Sequence, residues 1–338
     1  MADGAGATTA EHARPGFIAR ITGSKELGIL LVLIGMVAFI GFFNPSFLSI
    51  DSLSNAAQRA AWYGIMALGI VFLLSMGEID LSIGALYAVC INASAIMMSE
   101  WGWDPWIGAI AGVLIGLALG ALNGVLANVL GLPAIIITLG TLSLFRGLAL
   151  IISGGRFVYG IPREHAFFEI FGSEPLGVPM VIWVFALLTV ILTVVYRSTR
   201  YGYLVRAIGS NSRAALLGGI PIPRIRLLTL TLMGGLCGIS AMLTLAFFST
   251  ADPNLGTGYE LQAIAAAIIG GTALSGGRGT ILGAAIGSVV IAVIGSGITR
   301  FGISANYSTF VTGAVILLAV GVDALIRRRQ ARRGRTTT

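Results

Sequence analysis

Charge is what this sequence has least of. Of its 338 residues only 10% are Asp, Glu, Lys or Arg, against roughly 25% in a soluble domain, which excludes a solvated globular enzyme. Lysine is nearly missing, since Lys25 is the single one. A phosphate loop of the Gly-Lys-Ser/Thr type needs a lysine beside its glycines, so the chain is not its own ATPase of that kind. Histidine is scarce too: His12 sits in the N-terminal tail and His165 in a polar loop, with no Cys/His cluster near either. No metal site, cofactor or nucleophilic centre is expected. The two cysteines, Cys90 and Cys237, fall inside apolar runs and read as small packing residues, with no disulfide.

What is abundant is apolar sequence, at 56% of the chain. Runs of the length needed to cross roughly 30 Å of hydrocarbon fall at 27–43, 61–76, 82–99, 106–128, 133–152, 178–196, 227–249, 260–275, 280–299 and 306–326. The fold expected is therefore an all-α polytopic membrane protein of about ten transmembrane helices. Two short, weak spans could be re-entrant, leaving eight. Residues 1–25 form a polar tail, 26–326 a single transmembrane domain, and 327–338 a basic tail. The first run resembles a signal peptide, but it follows a long charged region and no small-residue cleavage site comes after it. It reads as an uncleaved first span. Residues 44–60 read as an external segment with a short amphipathic helix at 54–60.

The net charge of +7 does not call for nucleic acid, because the basic residues lie where topology needs them. Sixteen of the 21 Lys and Arg fall on one predicted side: three before the first span, six between 197 and 226, Arg278, and six in the tail. The acids Asp51, Glu100, Asp104, Glu164, Glu169, Glu174, Asp252 and Glu260 fall on the other. Basic loops stay in the cytoplasm, so both termini are expected there, with the tails against lipid headgroups.

The longest polar interruption is 197–226, RSTRYGYLVRAIGSNSRAALLGGIPIPRIR, which carries six arginines and no acid. Within it, Ser210 or Asn211 can cap a helix over SRAALL, and Gly218-Gly219 with Pro221 ends it. A helix of about two turns is marginal alone in water. It should pack on the protein's own helix ends or on a cytoplasmic partner.

Two glycine-bounded segments also interrupt the apolar pattern. GEIDLSIG at 77–84 places Glu78 and Asp80 between apolar runs with no base nearby in sequence. Such carboxylates reach an interface or line a wet cavity. Spaced two apart, they do not share a helix face. The alternative is a hairpin in which Asp80 or Ser82 caps the next helix. GGTALSGGRGTILG at 270–283 reads as a tight turn needing positive φ, anchored at the membrane surface by Arg278. Gly112, Gly116, Gly120 and Gly124 recur every four residues, and Gly283 and Gly287 repeat the spacing. This pattern fits close helix packing, or helices that slide during gating.

Polar residues within the spans are few: Asn92, Asn123, Asn128, Thr138, Thr141, Arg146, Gln262, Asn306 and Tyr307. Asn and Thr suit a neutral polyhydroxylated solute, and also serve as interhelical hydrogen bonds. With Glu78, Asp80 and Ser82, the residues Asn92, Asn123, Thr138, Thr141 and Asn306 are the gating and translocation candidates. Arg146 is expected near a span end, snorkelling outward.

Four strings occur together in order: GEIDLSIG at 77–84, LPAIIITLGTLSLFRGLA at 132–149, YGYLVRAIGSNSRAALLGGI at 201–220 and GYELQAIAAAIIGGTALSGGRGTILGAAIG at 258–287. Over residues 27–325 the chain resembles the membrane permease subunits of bacterial ABC importers for ribose, xylose, arabinose and related sugars. The resemblance implies a vitamin-B12-importer-like (type II) architecture in the inner membrane. It also implies a homodimer, or a heterodimer with a related permease, docked on a cytoplasmic ATPase that binds the ATP and fed by an external sugar-binding protein. The coupling segment in the ATPase groove would then be 206–219, carried by Arg206, Ala207, Ile208, Gly209, Ser210, Asn211, Ala214, Ala215, Leu216 and Gly219. Ser212 and Arg213 stand where relatives often show Pro or an acid, which bears on which ATPase matches. Competing readings are a permease for a branched-chain amino acid, nucleoside or autoinducer, an ion-coupled secondary transporter, and a membrane scaffold without transport.

Overall fold

The computed structural model describes residues 25–304 and seven positions between 307 and 321. Asn306, most of the predicted last span and both tails lie outside the described residues. The described chain is helical, with α1 Lys25–Phe43, α2 Ile50–Met76, α3 Ile83–Ser99, α4 Pro105–Leu130 and α5 Ala134–Ser153. After the short α6 (Ala166–Phe171) come α7 Met180–Ser198, α8 Arg200–Ser210, α9 Ser212–Leu217, α10 Ile222–Phe248, α11 Tyr259–Ile269 and α12 Ile281–Arg300.

Seven of these, α1, α2, α4, α5, α7, α10 and α12, are long and apolar enough to cross a membrane. They correspond to seven of the ten predicted stretches. The other two described stretches are shorter. With 17 residues in α3 and 11 in α11, at 1.5 Å per residue they span about 25 Å and about 16 Å. Each adjoins a glycine-bounded loop, 77–82 before α3 and 270–280 after α11.

The helix ends follow local chemistry. Ser49 accepts the Ser52 N–H to open α2, Asp104 accepts that of Trp106 ahead of Pro105 in α4, and Thr280 accepts that of Gly283 in α12. The helix α2 stops at Gly77, whose φ of 82° favours glycine. The expected separate external helix at 54–60 is corrected: those residues form the early turns of α2. No Gly or Pro breaks the chain there until Gly64, so a polar first half and an apolar second half share one helix.

The core centres on α2, which is buried from Tyr63 to Met76, with α12, α10 and α11 against it. The glycine stripe has the partner its spacing called for. A Cβ on Gly116 would overlap Gly234 O, and one on Gly120 would overlap Leu230 O, so α4 and α10 touch backbone to backbone. Gly283 and Gly287 do the same against Gly270 and Ala266, seating α12 on α11. This is how helices associate when lipid supplies no hydrophobic drive.

Candidate functional site

Three segments that interrupt the apolar pattern converge at one end of the bundle. Thr199 accepts the Gly202 N–H to open α8. Asn211 accepts that of Ala214 to open α9. Of the two predicted caps, Asn211 is the one used, while Ser210 donates its hydroxyl to the Arg206 carbonyl. The end at Gly218 and Gly219 matches the expectation, with Gly219 at φ 75°. The helix α8 itself was missed, because RYGYLVRAIGS carries two glycines and reads as loop.

The elbow formed by α8 and α9 is fastened to the core through main-chain atoms. The Gly277 N–H donates to Ser75 O at 2.8 Å, and Gly209 lies over both, where a Cβ would overlap them. Gly276 and Gly277 have φ of 82° and 77°, as the tight turn required. The Ala273 N–H to Arg278 O bond closes that hairpin. The Ser75 and Tyr196 hydroxyls share a 2.7 Å bond. Arg206 donates to Tyr196 O and lies 4.9 Å over the Tyr196 ring, a cation–π contact. Tyr201 shares a 2.8 Å bond with Thr229 of α10, and burial pushes its phenol up to about 12.

The outward side of the elbow is open. Ile208 and Ala215 are buried, whereas Leu216 and Leu217 are 63% and 83% exposed. A cleft of about 800 Å³ runs along it, with Ala207, Ser210, Asn211, Ala214, Ala215 and Gly219 on its walls.

The loop 77–82 lies between α4, α5 and α10. Glu78 pairs with Arg226 of α10 and accepts the Ala134 N–H at 2.8 Å, at the free N-terminus of α5, where a carboxylate is favoured. Asp80 is fully buried. Its Oδ1 accepts both the N–H and the hydroxyl of Ser82 at 2.7 Å, and Asn123 donates to Ser82 Oγ at 2.9 Å. Thr138 accepts the Leu81 N–H at 3.1 Å and donates toward Ile79 O. Asp80 thus forms a local turn ahead of α3, while Ser82, at the cap position, makes no side-chain cap bond.

Five of the gating candidates, Glu78, Asp80, Ser82, Asn123 and Thr138, therefore lie on the segment 77–82 or bond to it. Asn92 bonds back to Ala88 O within α3, and Thr141 is buried without a hydrogen-bond partner among the described residues. The partner of Glu78 was not visible in sequence, since Arg226 lies far along the chain. Arg146 differs from expectation as well. Rather than snorkel, it donates to Pro253 O at 2.7 Å and Leu255 O at 3.0 Å, because a turn with open carbonyls lies within its reach. His165 sits beside Asp104 at 3.3 Å.

Glu26, at the start of α1, pairs with Arg197 and accepts the Thr280 hydroxyl. The first helix therefore begins at the elbow end, where α2 finishes. The molecule is a multi-pass, all-helical membrane protein with an exposed cleft on a helical elbow. A family model described as "Branched-chain amino acid transport system / permease component" matches residues 52–320, and the chain belongs to this family of membrane permeases. It is 37% identical to the ribose import permease protein RbsC of Bacillus subtilis over 88% of this chain and 92% of that one. It is 34% identical to RbsC of Escherichia coli strain K12 over 87% and 92%. The D-allose transport system permease protein AlsC of the same strain is also 34% identical, over 90% and 93%. No solved structure matches the chain.

Proposed function

We propose that this chain is the permease subunit of an ABC importer that passes a monosaccharide, a pentose or related sugar, across the bacterial inner membrane. Permeases similar to it carry ribose and allose in their names, and the likeness runs through the elbow and both glycine-bounded loops. In this reading a separate cytoplasmic ATPase takes the ATP and grips the cleft along α8 and α9. A sugar-binding protein delivers the cargo on the opposite face, and a second permease copy, identical or related, completes the path. The chain has ten spans in a type II arrangement, with both termini in the cytoplasm; the side rich in arginine supports that orientation.

The observation that carries the mechanism is the main-chain contact of Gly209 with Ser75 and Gly277. It fastens the elbow to α2 and to the 270–280 hairpin with no flexible side chain between. A push on α8 then moves the inner end of α2. The Glu78–Arg226 pair, beside that end, exchanges partners as the inner mouth opens.

Uptake of labelled ribose into vesicles holding the permease, its ATPase and its binding protein tests this. ATP-dependent uptake that stops when Ser210–Leu217 is deleted is expected, with membrane insertion unchanged. Undiminished uptake after the deletion, or uptake by the permease alone driven by a proton gradient, overturns it. The family description keeps a branched-chain amino acid as the second reading, and ATP-driven uptake of leucine in place of ribose would select it.

A further inference from the structure

Two arginines border a small chamber at the end of the bundle remote from the elbow. It holds about 210 Å³ between the first turns of α2 and the last turns of α12, with Ser52, Asn55, Arg59, Ser296, Thr299 and Arg300 on its walls. Ser52, Asn55 and Arg59 follow at i, i+3 and i+7, and Ser296, Thr299 and Arg300 at i, i+3 and i+4, so each trio shares one helix face. The Arg300 guanidinium is placed by two neutral partners, donating to Ser46 Oγ at 3.3 Å and to Ser52 Oγ. Asn44, just past α1, donates its amide to Arg300 O at 3.0 Å. Asn55, Arg59 and Arg300 are all exposed.

No carboxylate stands on these walls. Neither arginine has an acid partner among the described residues, whose ion pairs involve His165, Arg197 and Arg226 instead. Asp51, beside Ser52 in sequence, is exposed and is not one of the walls. Two like charges sharing a chamber repel each other. An anion between them removes that cost, and the planar guanidinium fork matches the oxygens of a phosphate. The surroundings indicate where such a phosphate comes from. Both α1 and α12 are membrane spans, and Phe42, Phe43 and Ile50, next to Asn44 and Ser52 in the chain, are 81%, 60% and 80% exposed. Phe43 meets Phe301, just past Arg300, with ring centroids 6.4 Å apart. Bared apolar side chains around a basic pocket belong at the membrane boundary, where lipid phosphates lie.

From these observations we infer that the chamber is a phosphate site that takes the headgroup of an anionic lipid, with Arg59 and Arg300 as its two clamps. The inference goes beyond the transport reading and holds whatever the cargo is. The full chain, purified in a neutral detergent, is titrated with fluorescent phosphatidylglycerol and with phosphatidylcholine of the same acyl chains. Inorganic phosphate, added as a competitor and also alone as a thermal stabiliser, tells a headgroup from a free anion.

Saturable binding of phosphatidylglycerol is expected, about tenfold or more tighter than that of phosphatidylcholine. Arg59→Gln and Arg300→Gln should each weaken it about tenfold or more, the size of one charge-assisted hydrogen bond. Thermal unfolding checks that both variants are folded, and Arg59→Gln keeps the test open should Arg300→Gln, which loses the bonds to Ser46 and Ser52, unfold. Arg156→Gln, at an exposed arginine that is not on the chamber walls, should bind as the parent does. Phosphate that displaces the lipid, and alone stabilises the parent but not Arg59→Gln, sustains the phosphate site with a free anion as its source. Equal binding of the two lipids overturns the inference, as does parent-like binding in both chamber variants, or no saturable binding of lipid or phosphate by the folded parent. Lost docking of the sugar-binding protein in these variants, with lipid binding unchanged, also overturns it, because the arginines would then serve a partner's carboxylates.

Discussion

Arg226 holds Glu78 in an ion pair between the start of α10 and the loop after α2, with side chains 21% and 10% exposed respectively. The other carboxylate oxygen caps α5 through Ala134, so one acid ties three elements together. Removing a single partner of a buried pair typically costs about 3–5 kcal/mol, because the remaining charge is stranded. Arg226→Met should therefore lower the thermal midpoint of the purified permease sharply. Glu78→Gln with Arg226→Met should recover much of the loss. A double mutant no more stable than Arg226→Met would show that the pair is not the source of the effect.

Gly209 and Gly218 make a matched comparison on the elbow. A Cβ at Gly209 would overlap Ser75 O and Gly277 N, main-chain atoms that cannot swing aside, whereas at Gly218 the nearest atom is Ala214 O at 3.4 Å. Gly209→Ala should cut ATP-driven uptake at least tenfold in transport assays, an effect of about 1.4 kcal/mol or more, with expression and insertion unchanged. Gly218→Ala should transport normally. Equal activity of the two variants would dissociate the junction from coupling.

Asn211 is the cap of a six-residue helix with little stability of its own. Asn211→Ala should cost about 0.5–2 kcal/mol locally. Hydrogen exchange should then speed up over 212–217 and stay slow in α10. Asn211→Asp should restore protection, since it keeps the acceptor that serves Ala214.

The glycine stripe separates tight packing from open space within one protein. Gly120→Ala forces a methyl against Leu230 O and should destabilise by about 1–3 kcal/mol, as overpacking does. Gly140, on α5, has nothing within 4 Å of its missing Cβ. Gly140→Ala should be neutral, or stabilise by up to about 1 kcal/mol from helix propensity. Thermal unfolding in detergent distinguishes them, and a reversed order would disprove the packing account.

Features set by local rules were legible in the sequence, and those set by distant partners were not. Seven of the spans, the cap at Asn211 and the stop at Gly219 each depend on a few adjacent residues, and the structure has them. Gly112 to Gly124 announced a close approach because their spacing repeats, although Gly234 as the facing residue could not be named. Arg226 for Glu78 and the Pro253 carbonyl for Arg146 join parts of the chain that no pattern connects. The place of Gln58 in a long helix was hidden differently. It sits in 44–60, a stretch too polar to score as membrane that reads as a separate segment with a short helix of its own, so α2 was cut in two.

That undivided α2 has a mechanical consequence. Its 27 residues make a rod of about 40 Å, clamped by Gly277 at Ser75 and bearing Gln58 two turns from its far tip. From Tyr63 to Met76 the rod is buried in its neighbours, so a displacement of one tip is carried along it rather than absorbed. The elbow and the far end of the bundle are therefore joined through one continuous helix.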